Sequence, residues 1–111
     1  MAFIREKFEP QPVESEEMKG VSMQILIGEE EGAPNYIMRR FSVEAGGYSA
    51  HHSHDYEHMV FILSGKGTLF ASDDKFRLAG GTSLLVEANE IHQFRADRGE
   101  ALDFLCTIPR K

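Results

Sequence analysis

Residues 46–65 read GGYSAHHSHDYEHMVFILSG, and this stretch decides the interpretation of the whole sequence. Its histidines are regularly spaced: His52 and His54 are separated by one residue, and His58 comes four residues later. Alternate side chains of a strand share a face, so His52 and His54 can converge on one metal ion. His58 has the same parity, but residues 55–57 are expected to bend the chain. Parity alone is therefore weaker evidence that His58 binds the same ion.

A further histidine, His92, lies in the apolar segment EIHQFRA, where alternation places His92, Phe94 and Ala96 on the inward face. A single His-x-His pair on an exposed strand is usually a surface feature. Buried imidazoles without partners, however, would each cost about 1–3 kcal/mol, and a shared cation removes that cost. The spacing therefore predicts a metal site. The opposite parity of His51 favours a position outside the ligand set, and Glu57 could supply a carboxylate only against its parity.

Length and composition limit the remaining options. The chain has 111 residues, enough for one domain, and a formal net charge of -6 that argues against a nucleic-acid partner. Its single cysteine excludes an internal disulfide and a multi-cysteine zinc site. Neither an export signal nor a membrane-length apolar run is present, so a cytoplasmic protein without a membrane partner is expected. The sequence also lacks a dinucleotide fingerprint and a phosphate-cradling glycine loop.

Short runs of β-branched and aromatic residues, separated by glycine-rich and acidic turns such as SGKG, predict many strands and no long helix. This pattern is typical of an all-β sandwich or barrel. We expect residues 1–20 to form an extended lead-in and residues 21–111 to form the barrel domain. The predicted strands cover residues 23–27, 36–43, 58–63, 68–71, 75–78, 83–86, 91–96 and 101–108.

The histidine-rich stretch resembles the first motif of the cupin superfamily, Gly-x5-His-x-His-x3-Glu-x6-Gly, with His58 in the glutamate position. Residues 81–96 resemble the second motif, Gly-x5-Pro-x-Gly-x2-His-x3-Asn, with the ligand position at His92. Glu87 replaces the proline of that motif, Asn89 its second glycine and Ala96 its asparagine. These replacements affect the turn rather than the ligand.

The wider sequence is similar to small manganese monocupins that bind their ion through four histidines. The resemblance implies a single-domain cupin, a double-stranded β-helix or jelly-roll β-barrel, commonly a homodimer, with a divalent ion between two sheets. It favours manganese, whereas imidazole ligands alone would rank iron equally and would also accept nickel or zinc. The implied metal ligands are His52, His54, His58 and His92.

A pocket is expected beside the ion. Alternation along residues 101–108 places Phe104 and Cys106 inside with Phe94, and Asp103 outside. Cys106 is either a pocket residue or only a small buried hydrophobic residue. Arg39 has the same parity as the apolar residues of its strand and is expected to face inward. There it either contacts an anionic substrate or pairs with an acidic residue at the barrel mouth.

Two classes of function fit these features. The first is a manganese- or iron-dependent oxidoreductase of the dioxygenase type that acts on a small organic substrate, and the second is a non-catalytic metal-dependent binding or sensor module. The lack of a separate effector segment favours the enzyme, whereas the lack of an obvious acid or base favours the module. No catalytic residue is assigned. The outward parity of Met59, Phe61 and Leu63 predicts a face covered by a second copy.

Overall fold

Alternation of apolar and polar residues organises the chain into strands joined by short turns. The computed structural model describes residues 2–110, and a 3₁₀ helix at Glu29–Glu31 is the only helical element among them. No helix in this range is long and apolar enough to cross a bilayer. The strands are β1 (Gln11–Pro12), β2 (Lys19–Ile27), β3 (Tyr36–Tyr48), β4 (His58–Ala71), β5 (Asp74–Ala79), β6 (Ser83–Val86), β7 (His92–Ala96) and β8 (Leu102–Pro109).

Four of these strands close into an antiparallel barrel. β3 pairs with β8, β8 with β4, β4 with β7, and β7 returns to β3. β2 extends the wall from β3, while β5 and β6 both pair with β4. Closure removes the open edges that a flat sheet of these strands would expose. The all-β jelly-roll barrel expected from the sequence is therefore confirmed.

Strand β4 differs from the prediction because the expected turn at SGKG is wrong. Residues 64–67 run through one strand of 14 residues. Its first part pairs with β6 and β8, its second part pairs with β5 and β7, and the register against β8 shifts between Ile62 and Ser64. Gly65 has a φ of 93°, and a Cβ at this position would collide with the Ala101 carbonyl oxygen. Glycine therefore permits a bend inside a strand rather than a reversal of the chain.

The other predicted strands each overlap an observed one, and residues 83–86 match β6 from end to end. Within residues 1–20, β1 pairs with β2, and Val13 and Met18 pack against the core. The Val13 amide donates to the Val21 carbonyl over 2.8 Å. These contacts hold the N-terminal segment against the barrel.

The barrel interior has an apolar part and a part that contains buried histidines. Val43, Ile62 and Leu102 are completely buried in the apolar part. His58 and His92 are the buried polar residues of the described chain, at 5% and 4% exposure. Buried polar groups need partners, so these two histidines direct attention to the site around them.

Candidate metal centre

A backbone bridge places two of the histidines side by side. The His52 amide donates to the His92 carbonyl over 3.1 Å, and the His92 amide donates back over 2.9 Å. β7 carries His92 within the barrel wall, while His52 lies outside the regular strands. The bridge therefore brings residues 40 positions apart onto one surface.

His54 joins this pair. One ring nitrogen from each of His52, His54 and His92 can be chosen so that all three lie within 4.8 Å of one another. Three imidazole nitrogens at this separation can ligate a single transition-metal ion. The structure thus brings together three of the four predicted ligands by this distance.

His58 lies beside the three, with its ring centroid 5.0 Å from that of His54 and 5.1 Å from that of His92. Its Nε2 is buried without a hydrogen-bond partner. Burial, followed by the charges of His92 and Arg39, lowers the pKa of His58 to about 3. This imidazole is therefore neutral near pH 7, and a neutral imidazole can offer a lone pair to a cation.

Hydrogen bonds at the opposite ring nitrogens orient two of the imidazoles. His92 Nδ1 lies 2.9 Å from the Glu90 carbonyl oxygen, which can only accept, so Nδ1 carries the proton and Nε2 is free to ligate. His58 Nδ1 lies 3.1 Å from Cys106 Sγ. Donation from Nδ1 to this sulfur, rather than acceptance from Arg39 Nη2 at 3.4 Å, would leave the lone pair on the unpartnered Nε2.

Burial also disfavours protonation of the other two histidines. It is the largest cause that lowers the pKa of His52 and of His54, and the neighbouring imidazoles add to it. The exposed Glu17 and Asp55 oppose these shifts at His52 and His54 respectively. Near neutral pH the imidazoles of His52, His54 and His58 are therefore uncharged.

Alternation persists through the histidine segment although it is not a regular strand. Residues 55 and 56 form a bend, yet His52, His54 and His58 all face inward. His51 and Glu57 are exposed, as their parity predicts. The bend at residues 55 and 56 therefore leaves both His54 and His58 on the inner side.

His52, His54, His58 and His92 all line a cavity of about 220 Å³. Phe104 stacks on Phe94 at 4.6 Å and on Phe41 at 5.3 Å between ring centroids, which forms an aromatic wall. Tyr56 stacks on His54 at 4.9 Å with the rings nearly parallel. Phe94, Phe104 and Cys106 line the cavity together with Arg39.

Several lining residues were not identified from the sequence. The parity of Phe41 with Arg39, and of Tyr56 with His54, could have indicated two of them. Val13 and Met18 also line the cavity, but they come from the N-terminal segment. No local pattern in that segment shows that it packs against the barrel.

The expectation that Arg39 pairs with an acidic residue is wrong. Among the described residues, its side chain instead lies in the cavity wall: Nη2 donates to Cys106 Sγ over 3.1 Å and lies 3.4 Å from His58 Nδ1. Its Nε is buried without a hydrogen-bond partner. Cys106 is 2% exposed, and burial raises the pKa of its thiol.

Asn89 adopts a left-handed backbone conformation in the altered turn before His92. This residue has a φ of 67°, and asparagine tolerates the left-handed conformation better than most residues. Its amide donates to the His54 carbonyl over 2.5 Å. The turn thus ties the segment that carries His54 to the segment that carries His92, although the motif's glycine is absent.

The cupin domain family matches residues 39–108, which contain the four histidines, all of β4 and β7, and most of β3 and β8. The chain therefore belongs to the cupin family, the class of β-barrel proteins that its strand order and histidine spacing also indicate.

Individual relatives carry different names. A 1-methylthio-D-xylulose 5-phosphate methylsulfurylase from Rhodospirillum rubrum is 35% identical over 71 residues, 64% of this chain and 46% of that protein. The chain thus spans about half the length of this curated relative. A cupin 2 conserved barrel domain protein from Rhodopseudomonas palustris is 31% identical with a TM-score of 0.82, over 92% of this chain and 70% of that one. The polyketide cyclase RemF from Streptomyces resistomycificus has a TM-score of 0.88 at 22% identity, over 98% and 81% of the two chains, and shares the fold.

Proposed function

We propose that this cupin is a divalent-metal-dependent enzyme, an oxidoreductase of the dioxygenase type that acts on a small organic substrate. The observation that carries the proposal is His58 Nε2, a buried and unpartnered nitrogen beside three other imidazoles. A buried acceptor left without a donor costs about 1–3 kcal/mol, and a cation bound there would remove the cost. The cavity next to it has room for a substrate.

The donor set fits a divalent transition metal. His52, His54, His58 and His92 would hold the ion, and the contacts at Nδ1 of His58 and His92 hold those two rings in place. We favour manganese because the four-histidine pattern resembles that of manganese monocupins, and iron is the second candidate. The bound ion would supply Lewis-acid or redox chemistry.

The protein's own residues would bind and position the substrate. The stacked rings of Phe41, Phe94 and Phe104 form a flat apolar wall that limits access of water and favours a planar molecule. Arg39 adds hydrogen-bond donors at the same wall. Substrate held between this wall and the histidines would be positioned against the ion, which is how binding energy promotes reaction.

The names of two relatives support an enzyme over a non-catalytic module. One is called a methylsulfurylase and another a polyketide cyclase. These names differ in chemistry, so they support catalysis in general, and the oxidoreductase class comes from the histidine site.

Metal analysis followed by oxygen-uptake assays tests the proposal. Untagged protein is loaded with manganese or iron and then supplied with alkenes, diketones or aromatic diols. We expect substrate-dependent oxygen uptake that disappears on chelation and returns when the metal is restored. Metal-dependent binding of these compounds without turnover would support the binding or sensor module instead.

We also propose that the protein is a homodimer. Met59, Phe61 and Leu63 are 37–51% exposed on β4, and Leu85 on the paired β6 is 58% exposed. Contiguous apolar surface of this kind is typical of protein contacts. Light scattering at micromolar concentration is expected to give the dimer mass, and Phe61→Glu the monomer mass. A monomer mass for the unchanged protein would contradict the proposal.

A further inference from the structure

The outer face of the barrel carries a row of polar and basic side chains on the side opposite the histidines. Strand pairing aligns one residue from each of β2, β3, β7, β4 and β5 in this row: Lys19, Tyr48, Arg95, Thr68 and Arg77. Arg95 lies between two buried residues of β7 and is itself exposed, so it points to solvent. A concavity of about 570 Å³ lies at this row, which is within the range of small-molecule sites.

The acidic residue of this outer concavity is already paired. Asp97 is the one carboxylate among its described lining residues, and Arg77 donates to both Asp97 oxygens, over 2.8 and 2.7 Å. Lys19, Arg95 and Arg98 also line the concavity but take part in none of the ion pairs of the described residues. Three positive charges are therefore left without a partner on a chain whose formal net charge is -6. A local excess of this sign attracts anions.

Neighbouring side chains hold the guanidinium of Arg95 in place. Its Cζ lies 4.6 Å from the Tyr48 ring centroid, and its Nε donates to Gln93 Oε1 over 3.1 Å. Gln93 is fixed in turn, because its Nε2 donates to the Ser49 carbonyl oxygen over 2.9 Å. Among the described residues, the two terminal nitrogens of Arg95 have no hydrogen-bond partner. A guanidinium held in this way presents a fork of donors that matches two oxygens of one anion.

The remaining polar side chains around the fork also favour an acceptor. Thr68 Oγ1 accepts a hydrogen bond from Arg77 Nη1 over 3.0 Å, so its own O–H can donate to a ligand. Lys19 and Arg98 can only donate. A carboxylate offers two oxygens to such a set of donors, whereas a phosphate group offers three and carries more charge. The donor set therefore fits phosphate better than carboxylate.

We propose that this outer concavity binds a phosphate group, either as the free dianion or at the end of a small phosphate monoester. Arg95 would hold two of the oxygens, and Thr68 would donate to the third. Phe70 lines the same concavity and is half-buried, so it offers an apolar surface to the organic part of a monoester. The outer concavity shares no lining residue with the histidine cavity, so the inference does not depend on the metal site.

Titration with phenyl phosphate, inorganic phosphate and benzoate tests the inference by NMR. Metal-free protein is used at constant ionic strength, since a metal ion would itself attract phosphate. At about pH 8 phenyl phosphate is a dianion, and it should bind about fivefold more tightly than the monoanion benzoate, the gain for one further charge near a cation in water. Tighter binding of phenyl phosphate than of inorganic phosphate identifies a monoester as the ligand, and equal affinity identifies the free ion. The amide signals that shift and saturate should be those of Lys19, Thr68, Arg95 and Arg98.

Two variants and a matched control assign the binding to this concavity. Arg95→Gln should weaken phenyl phosphate binding about tenfold, the lower end for hydrogen bonds to charged groups. Arg40→Gln is the control and should leave the affinity unchanged, because Arg40 also lies against a ring but already pairs with Asp103. Arg98→Gln should cause a smaller loss. It keeps the test valid if melting temperatures show that Arg95→Gln does not fold, since no ion pair of the described residues involves Arg98.

Three results would overturn the inference. The first is an equal loss of affinity in Arg95→Gln and Arg40→Gln, and the second is equal affinity for phenyl phosphate and benzoate. The third is a set of shifted signals that belongs to the histidine cavity and leaves the outer concavity unchanged.

Discussion

Arg39 and Arg40 are neighbours on β3, but their surroundings on the two faces of the barrel wall are opposite. Arg40 points outward and forms an ion pair with Asp103 at 2.7 Å, with its guanidinium 4.0 Å from the Phe8 ring centroid. Arg39 faces the cavity, where it contacts a sulfur and an aromatic ring and leaves one donor unpaired. On the outer face the charge of Arg40 is therefore paired within the chain, whereas on the inner face Arg39 keeps a donor without a partner.

The two faces of β3 and β8 therefore differ in role: contacts on the outer face stabilise the fold, and groups on the inner face border the proposed site. A sequence selected only for folding would pair its buried polar groups, as the outer wall does. On the inner wall, unpaired groups on Arg39 and His58 border one cavity. Local exceptions of this kind are expected where a ligand completes the structure.

Replacing an inward histidine is expected to have the largest effect. His54→Ala should almost abolish manganese binding, with the same result for His52 and His92, because each removes a ligand. His51→Ala, three residues earlier and exposed, should bind metal as the unchanged protein does. Occupancy is measured by mass spectrometry of metals after dialysis. Equal losses in His51→Ala and His54→Ala would contradict the assignment of the two faces.

His58 needs its own comparison because it lies beside the other three. The usual cupin motif has glutamate there, so His58→Glu should retain more metal than His58→Ala. If both variants fold but bind equally little metal, the side chain at position 58 is not a ligand of the ion.

The second-largest effect is expected from a decrease in pH, which should destabilise the protein through the buried histidines of the inner wall. The pKa of His58 is about 3 in the fold, against about 6.5 when unfolded. The unfolded chain therefore takes up a proton below about pH 6.5 that the folded chain does not, so stability falls as the pH decreases from there towards 3. The lowered pKa values of His52 and His54 act in the same direction. Bound metal also requires neutral imidazoles, so the metal-loaded protein should lose stability more steeply once the pH falls below the lowered pKa values of these folded histidines.

Melting temperatures of the metal-loaded and metal-free protein between about pH 7 and pH 5 measure this effect, since most carboxylates titrate lower. Because His58 is already neutral in the metal-free fold across this range, release of the ion should take up fewer than four protons. Uptake of four protons per ion would contradict the lowered pKa of His58. Coincident melting temperatures for the two forms would show that the ion does not stabilise the fold.

Cys106 is expected to have a smaller effect because it acts through His58. Its sulfur lies 3.1 Å from His58 Nδ1 and accepts a hydrogen bond from Arg39 at the same distance. Cys106→Ala should weaken metal binding about 10- to 100-fold, the usual cost of losing a group that orients a ligand. Cys106→Ser keeps an acceptor and should recover part of the loss, while Leu105→Ala on the outer face serves as the control. Unchanged metal affinity in Cys106→Ala would show that the sulfur only fills space.

These contacts also show how far the sequence leads. Alternation correctly predicted which residues of β7 and β8 face inward, and the motif spacing predicted the barrel and the histidine cluster. It did not predict that Arg39 contacts Cys106, because the two are 67 residues apart and meet only through the register of β3 with β8. Parity identifies the face of a side chain, but the partner across the barrel depends on strand order and register. For the same reason the sequence did not place Val13 and Met18 at the cavity.

The smallest effect is expected on the outer wall, and it tests whether the two faces are independent. The Arg40 and Asp103 side chains are 31% and 19% exposed, so water screens their attraction, and ion pairs of this kind typically contribute about 0.2–1 kcal/mol. Asp103→Asn should therefore lower the melting temperature by only a few degrees, at about 4–8 °C per kcal/mol for a domain near this size. Arg40→Gln should cost slightly more, because it also loses the contact with Phe8. In a double-mutant cycle, the coupling between the two positions isolates the ion pair from that ring contact. Both variants should bind manganese as the unchanged protein does, since neither residue lines the cavity. A tenfold loss of metal in either one would mean that the outer face positions the inner one, and the separation of stability from function across this wall would no longer hold.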